Sequence, residues 1–321
     1  MPYNIKMGEK CMEFNVNNNS KVIDNSKVAA DAKLYKYMDL EKFLSLIVRN
    51  QLCFCNQRTL KKIDPYEGAM TKGELIRENF TKEIFNIAKE NGRFQYIKIY
   101  SQKNKDTLTI DLTKSSEFKI YNDDIYYIDC WHINNYESLA MWKVFSNNKN
   151  SIAISTTKKK LIKSLNIVNK KVYLQEVNYE DLSLISDSIS FGMNKMYLGT
   201  DKTLYIESDI LQGFYSVNPL LRKTKYYEYE QELRMYFEDE KNNDITKFIN
   251  VNLNLMIDEI IISSNCDEWF LNILNDILIK YDFNKKVKFS DIRQNNLSLS
   301  EYELNELNKS IYNMKFTKVD S

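Results

Sequence analysis

The chain has 321 residues, 43% hydrophobic and 28% charged, with 45 Lys and Arg against 44 Asp and Glu. That is ordinary globular composition, long enough for a sizeable core, and a formal net charge of +1 supplies no global field toward nucleic acid or an anionic membrane. The single histidine, His132, excludes multi-histidine zinc sites, and the seven glycines form no Gly-x-Gly-x-x-Gly; Gly68 and Gly73 have P-loop spacing but are followed by Glu74-Leu75.

Cys11, Cys53, Cys55, Cys130 and Cys266 are odd in number and lack Cys-x-x-Cys spacing, which points to reduced thiols and a cytoplasmic protein. No run approaches the ~18 apolar residues of a membrane helix, and Met1 to Lys6 do not read as a signal peptide. The expectation is therefore a cytoplasmic protein with no membrane partner.

Residues 1–32, with Asn-Val-Asn-Asn-Asn-Ser from Asn15, show no sustained periodicity and read as an extension or mobile arm. Lys33 to Tyr37 reads as a strand, followed by a helix that Asp39 can cap and whose apolar face is Leu40, Phe43, Leu44 and Ile47. Leu52 to Cys55 returns as a strand, and Asp64-Pro65-Tyr66-Glu67 is a turn, because Pro fixes φ and Asp can bond back to the backbone. A helix over 71–91 precedes two alternating strands, Phe94 to Tyr100 and Thr107 to Leu112, and Phe118 to Cys130 reads as a further pair around Asn122-Asp123-Asp124.

From Cys130 to Trp142, a strand is expected to end near Trp131 and a helix to begin by Asn135. Trp131, His132 and the amides there suit a stacking and anion-binding pocket, whereas Trp142 suits the core and His132 equally suits a core or capping role. Ser151 to Ser155 reads as a strand, and Lys158 to Ser164 as a short helix. Its lysines 158, 159, 160 and 163 make a solvated surface or a phosphate contact. Lys171 to Tyr179 reads as a strand, Asp187 to Tyr197 as a helix, Met256 to Ser263 as a strand, Asp267 to Tyr281 as a helix and Val287 to Ile292 as a strand. The tail from Ser300 is an amphipathic helix. The fold class expected is α+β, a single domain with a mixed or antiparallel central sheet and flanking helices. The boundaries are 1–32 extension, 33–295 main domain and 296–321 helical tail.

The stretch with most chemistry is 222–237. Read as a strand over 228–237, it sets Glu230, Glu232 and Arg234 in one row, with Tyr229, Gln231, Leu233, Met235 and Phe237 on the other face. Carboxylates that close drive their pKa values apart where water is partly excluded, and Arg234 would hold the nearer one ionised. The row reads equally as a solvated charged face on an edge strand.

Lys223, Tyr227, Glu230, Glu232 and Arg234 match the Lys-x3-aromatic-x2-Glu-x-Glu-x-Arg pattern of the bacterial family called domain of unknown function 2971. Leu34-Tyr35-Lys36-Tyr37, Asp64-Pro65-Tyr66-Glu67, and Cys130 with Met141-Trp142 follow the family in the same order, over roughly 33–295. Ile63 stands where the family usually has Asn before Asp-Pro. The strand, capped helix and strand from Lys33 to Cys55 also resemble the opening of ADP-ribosyltransferase folds, with Lys36 in the place usually held by His or Arg. That resemblance implies an ADP-ribosyltransferase-like core and an enzyme that consumes NAD as substrate. Glu232 would be the catalytic carboxylate beside Arg234, Glu230 would orient acceptor or ribose, Trp131 would stack on nicotinamide, and Lys36 would contact phosphate or ribose. Tyr37 and His132 complete a cleft drawn from three segments. No metal is implied. The target is a protein or nucleic acid, in a toxin or anti-phage effector that acts with another protein of the same defence system. Two other readings compete. One is a Mg²⁺-dependent nuclease using Asp64, Glu67, Glu230 and Glu232; the other is a non-catalytic binding module in which the glutamate–arginine row is structural.

Overall fold

A computed structural model describes residues 12–17, 20–100, 107–113, 125–145, 149–167, 170–183, 193–208, 219–239, 244–292 and 301–312. Its strands are β1 (Met12–Asn17), β2 (Ser20–Asp24), β3 (Lys33–Met38), β4 (Gln51–Asn56), β5 (Tyr96–Tyr100), β6 (Thr107–Asp111), β7 (Tyr126–Ile133), β8 (Ile152–Thr157) and β9 (Leu165–Asn166). They continue with β10 (Lys171–Glu176), β11 (Asn178–Glu180), β12 (Met193–Leu198), β13 (Thr203–Ser208), β14 (Arg222–Thr224), β15 (Glu232–Glu238), β16 (Thr246–Val251), β17 (Glu259–Ile262) and β18 (Val287–Phe289). The helices are α1 (Leu40–Arg49), α2 (Gln57–Lys61), α3 (Lys72–Asn91), α4 (Leu139–Phe145), α5 (Lys158–Ser164), α6 (Leu253–Met256), α7 (Glu268–Lys280) and α8 (Glu301–Tyr312).

Among the described residues a twelve-stranded mixed sheet runs β1-β2-β10-β15-β7-β3-β8-β17-β18, with β4, β16 and β9 branching from β7. The fold is α+β, with no barrel. β8 and β15 are buried along nearly their whole length, as strands covered on both faces must be. One face packs on α1 through Phe43, Leu46 and Ile47 and on α7 through Phe270, Leu274 and Leu278, spaced to share one side of the helix. The opposite face carries Tyr35, Tyr37, Met141 and Trp142 and, further along, Ile128, Leu220, Leu221 and Tyr236.

A second, four-stranded sheet β12-β13-β5-β6 has its own core against α3, built from Phe85, Ala88, Ile97, Ile99, Leu204 and Ile206. α3 opens with a capping box, Thr71 Oγ1 accepting from Glu74 N–H and Glu74 Oε2 from Thr71 N–H, and ends at Gly92 in the left-handed region.

Several expectations change. Residues 12–24 supply two strands, and β2 pairs parallel with β10, so Val22 joins the core with no exposure. Asp39 is the N-cap of α1 but makes no side-chain cap bond. β7 runs through to Ile133 and α4 starts only at Leu139. Residues 193–198, expected to finish a helix, form β12, because pairing with β13 outweighs a helical pattern that is not strongly periodic. The expected helix start at 187 and the strand from Phe118 through 124 lie outside the described residues. The expected basic surface on α5 holds for the exposed Lys159 and Lys163 but not for the other two lysines. Lys158 is buried and donates to Asp24 Oδ2 at 2.7 Å, and Lys160 pairs with Asp258.

β7 shares one edge between two strands: β3 pairs it at His132 and Ile133, β4 at Tyr127 and Ile128. Lys36 fills the fork. Its ammonium donates to Asp129 Oδ1 at 2.5 Å and to the Cys130 carbonyl at 3.1 Å and lies 5.4 Å from the Trp131 ring centroid. Burial alone would lower its pKa, but Asp129 outweighs that and raises it. Trp131 Nε1 donates to Asp129 Oδ2 at 2.8 Å, which orients the acid. Lys36→Met should therefore destabilise the protein by about 3 kcal/mol, at the lower end for an unpaired buried charge because Trp131 keeps its bond. The shift in urea midpoint at unchanged slope measures this.

Candidate active site

The strand expected over 228–237 begins only at Glu232; Lys225–Glu230 is a 3₁₀ helix, and Gln231 (φ 40°) turns the chain between the two. Glu230 thus sits on a turn and not in the strand's row. The two carboxylates still meet, because Lys223 Nζ donates to Glu230 Oε2 at 2.5 Å and to Glu232 Oε1 at 3.0 Å. The row is not a solvated face, since Glu230, Glu232 and Arg234 are all buried.

The turn at 64–67 delivers the other half. Asp64 Oδ1 accepts from Tyr66 N–H at 2.9 Å and its carbonyl accepts from Glu67 N–H at 3.0 Å, so Asp64 supplies the turn's cap while Ile63 is exposed. Gly68 follows at φ +62°, where an added Cβ would lie 2.5 Å from Gln57 Nε2. Glycine adopts that backbone without strain, and any side chain there would have to displace Gln57, whose Nε2 lies 3.4 Å from Glu67 Oε1. Arg234 takes Glu67 in a fork, Nη1 to Oε1 at 2.6 Å and Nη2 to Oε2 at 2.7 Å; its Nε donates to Glu232 Oε2 at 2.7 Å and Nη1 also reaches the Leu220 carbonyl. Lys223 lies 3.6 Å from Asp64 Oδ2 and 5.1 Å from the Tyr227 ring centroid. The neighbouring Arg222 pairs with Glu74, which ties β14 to the start of α3.

Electrostatics divides the glutamate pair. Burial first, then a hydrogen bond and repulsion from Glu232, push Glu230 up to about 8 against the pull of Lys223. Burial would raise Glu232 as well, but Arg234 and then Lys223 overcome it and hold that carboxylate well below the usual range. One member stays ionised and the other binds a proton near neutrality.

Strand alternation decides which of the expected cleft residues meet. Glu232 lies opposite His132, and Leu233 opposite Trp131. His132 is buried, its Nδ1 donating to the Glu230 carbonyl at 2.6 Å and its Nε2 accepting from Asn134 Nδ2 at 3.2 Å; these partners assign a neutral ring, and burial lowers its pKa. Tyr37 is next, its ring centroid 6.1 Å from that of His132 and its hydroxyl accepting from Ser138 N–H at 2.8 Å. Tyr37, His132, Glu230 and Glu232 thus share one side of the sheet. Lys36 and Trp131 belong to the other side, Trp131 within the core that holds Leu233. The expected contacts of Lys36 with phosphate and of Trp131 with nicotinamide do not fit a cleft at Glu232, since odd and even residues of a strand point oppositely. Trp142 is core, with Nε1 on Glu137.

Two site residues had no role assigned from the sequence: Tyr179, whose hydroxyl accepts from Glu232 N–H at 2.9 Å, and Lys223, which bridges the glutamates. The spacing of Lys223 in its motif is the signal that was present for the second; Tyr179 comes from β11 with none. Among the described residues, no group of three or more His, Cys, Asp or Glu side chains is placed to hold a metal ion. The four acids of the nuclease reading do converge, but Lys223 and Arg234 occupy the positions between their oxygens.

Residues 141–235 match the family described as Protein of unknown function (DUF2971). The match takes in Met141-Trp142 and the whole Lys223–Arg234 motif. No curated protein and no solved structure matches the chain.

Because the folded state prefers Glu230 protonated, its contribution to stability is full below the ordinary value of 4.5 and is lost as pH rises through about 8. Glu232 has the opposite sign, contributing above the ordinary value and losing that as pH falls. Melting temperature should therefore decline between pH 5 and 8.5, and Glu230→Gln should flatten that decline, bringing the variant level with or above the parent at pH 8.5. Thermal melts at matched ionic strength check it.

Proposed function

We propose that the chain transfers ADP-ribose from NAD to a protein or nucleic-acid acceptor, with Glu232 and Glu230 as the reacting pair. The observation that carries this reading is the division of the pair into an ionised and a protonatable member. As the bond from ribose C1′ to nicotinamide nitrogen breaks, its electron pair stays on nicotinamide and positive charge builds on the ribose. The Glu232 carboxylate faces that charge. Glu230, poised near the operating pH, takes the proton that the acceptor loses on bonding to C1′. Tyr66, Tyr227 and Tyr229 line up beside the pair, ring centroids 6.5 and 6.4 Å apart, and supply the stacking first expected of Trp131. Lys36 and Trp131 have no part in this form of the reaction. A toxin or anti-phage role, acting in the cytoplasm with a partner of the same system, accompanies the proposal by analogy alone.

A second reading, a binding module whose network is architectural, is favoured by enclosure: the side chains of Glu230, Glu232 and Arg234 are 3%, 7% and 1% exposed. A substrate would have to draw Lys223 away from both glutamates. Glu232→Gln separates the two. Arg234 keeps Glu67 and the Leu220 carbonyl, so in a catalytic role the variant should melt within a few degrees of the parent while turnover falls ~10²–10³-fold. Nicotinamide release from NAD should survive EDTA and rise with pH to a plateau above about 8, a rise that Glu230→Gln removes. No NAD turnover, or a large fall in melting temperature for Glu232→Gln, would establish the architectural reading instead. Metal-dependent cleavage of nucleic acid in a parallel assay would establish the nuclease.

A further inference from the structure

The four-stranded sheet carries a second feature that the glutamate site does not use. Ile97, Ile99, Leu204 and Ile206 face α3, so their neighbours face the other way. On that outer face Tyr197 pairs with Tyr205, Tyr205 with Lys98 and Lys98 with Thr109 in one cross-strand row. Tyr96 and Tyr100 flank Lys98 along β5, ~13 Å apart by strand rise. Tyr96, Tyr100 and Tyr197 are 37%, 38% and 49% exposed, which is a large aromatic outlay for the face turned away from the α3 core. The Tyr197 and Tyr205 rings are parallel to within 3° with centroids 5.1 Å apart, and the Lys98 ammonium lies 5.6 Å from the Tyr205 centroid.

We propose that this face binds single-stranded nucleic acid, with bases stacking on Tyr96, Tyr100 and the Tyr197–Tyr205 pair and Lys98 meeting a phosphate between them. Ring faces accept any base, so the binding is sequence-tolerant. A cation set between two rings suits a chain that alternates base and phosphate. Asp111 across the register from Tyr96 and Glu207 across from Tyr100 share the face, with Asp201 hydrogen-bonded to Thr203 and Tyr205 at its margin, and these acids work against a phosphate chain. With a single central lysine, affinity rests on stacking and depends little on salt. The platform stands independently of the NAD reading, although a nucleic-acid acceptor would give the two a common use.

The test is fluorescence anisotropy of a fluorescein-labelled oligo(dT) of about 12 nucleotides with the full chain. Tyr96→Ala with Tyr100→Ala should weaken binding at least tenfold, given that each stacked base is worth roughly 5- to 150-fold. The same pair changed to Phe should restore it, and nicotinamide release from NAD by the alanine variant, assayed without nucleic acid, should stay at the parent's rate, so failure here is distinct from failure of the NAD assay. Thermal melts confirm that the alanine variant folds. The slope of log affinity against log salt should be near −0.7, one phosphate contact on a single strand. Absence of binding, indifference to the alanine changes, a slope steeper than about −3, or displacement of the oligonucleotide by cellohexaose would each overturn the proposal.

Discussion

A guanidinium buried in the middle of a β-sheet is the condition the rest of this molecule satisfies. Arg234 sits on a central strand with no exposure, and an isolated charge there would be untenable. Glu67 meets it in a fork, Glu232 caps its Nε, and the Leu220 carbonyl takes a further proton. Each partner comes from a different local device: a Pro-containing turn closed by Gly68, the first residue of β15, and the 3₁₀ turn Pro219–Leu221. Removing any one device would leave charge behind. That shared dependence is a physical reason for the Asp-Pro-x-Glu and Glu-x-Glu-x-Arg motifs to occur together.

The same arrangement sets the chemistry available. Asp64, Glu67, Glu230 and Glu232 surround Lys223 and Arg234, four acids to two cations, so the cations cannot hold every carboxylate equally. Glu230 is the member pushed up, because burial and the neighbouring Glu232 outweigh the pull of Lys223, whereas Arg234 and Lys223 hold Glu232 ionised. His132 presents its neutral ring to the Glu230 backbone, which fixes the turn without adding charge.

Much of the fold was legible in the sequence, and for definable reasons. α3 announces itself by its capping box, α7 by Phe270, Leu274 and Leu278, and β17 by the run Ile260-Ile261-Ile262. Local pattern failed where tertiary pairing decided the outcome: at β12, and at residues 12–24, whose polar run gave no hint of pairing with a strand near 172. At the site, the residues of the Glu-x-Glu-x-Arg motif were identifiable and their union was real, but not its geometry. Period-two spacing predicted a strand through Glu230, whereas the left-handed residue Gln231 ends the pattern one position later. Lys36 and Trp131 were misplaced for a related reason. Composition shows which residues are polar or aromatic, but only register shows which side of the sheet they face, and one residue of offset reverses it.

The strand order has a kinetic meaning as well. β2 pairs with β10, β3 with β7 and β8, and β15 lies between β10 and β7, so neighbours in space are far apart along the chain. The fork joining Arg234 to Glu67 closes a loop of 167 residues. Few of these contacts repay the entropy of loop closure until the strand at 232–238 is available, so assembly of the central sheet must await most of the polypeptide. The network that defines the finished site cannot close before that strand exists.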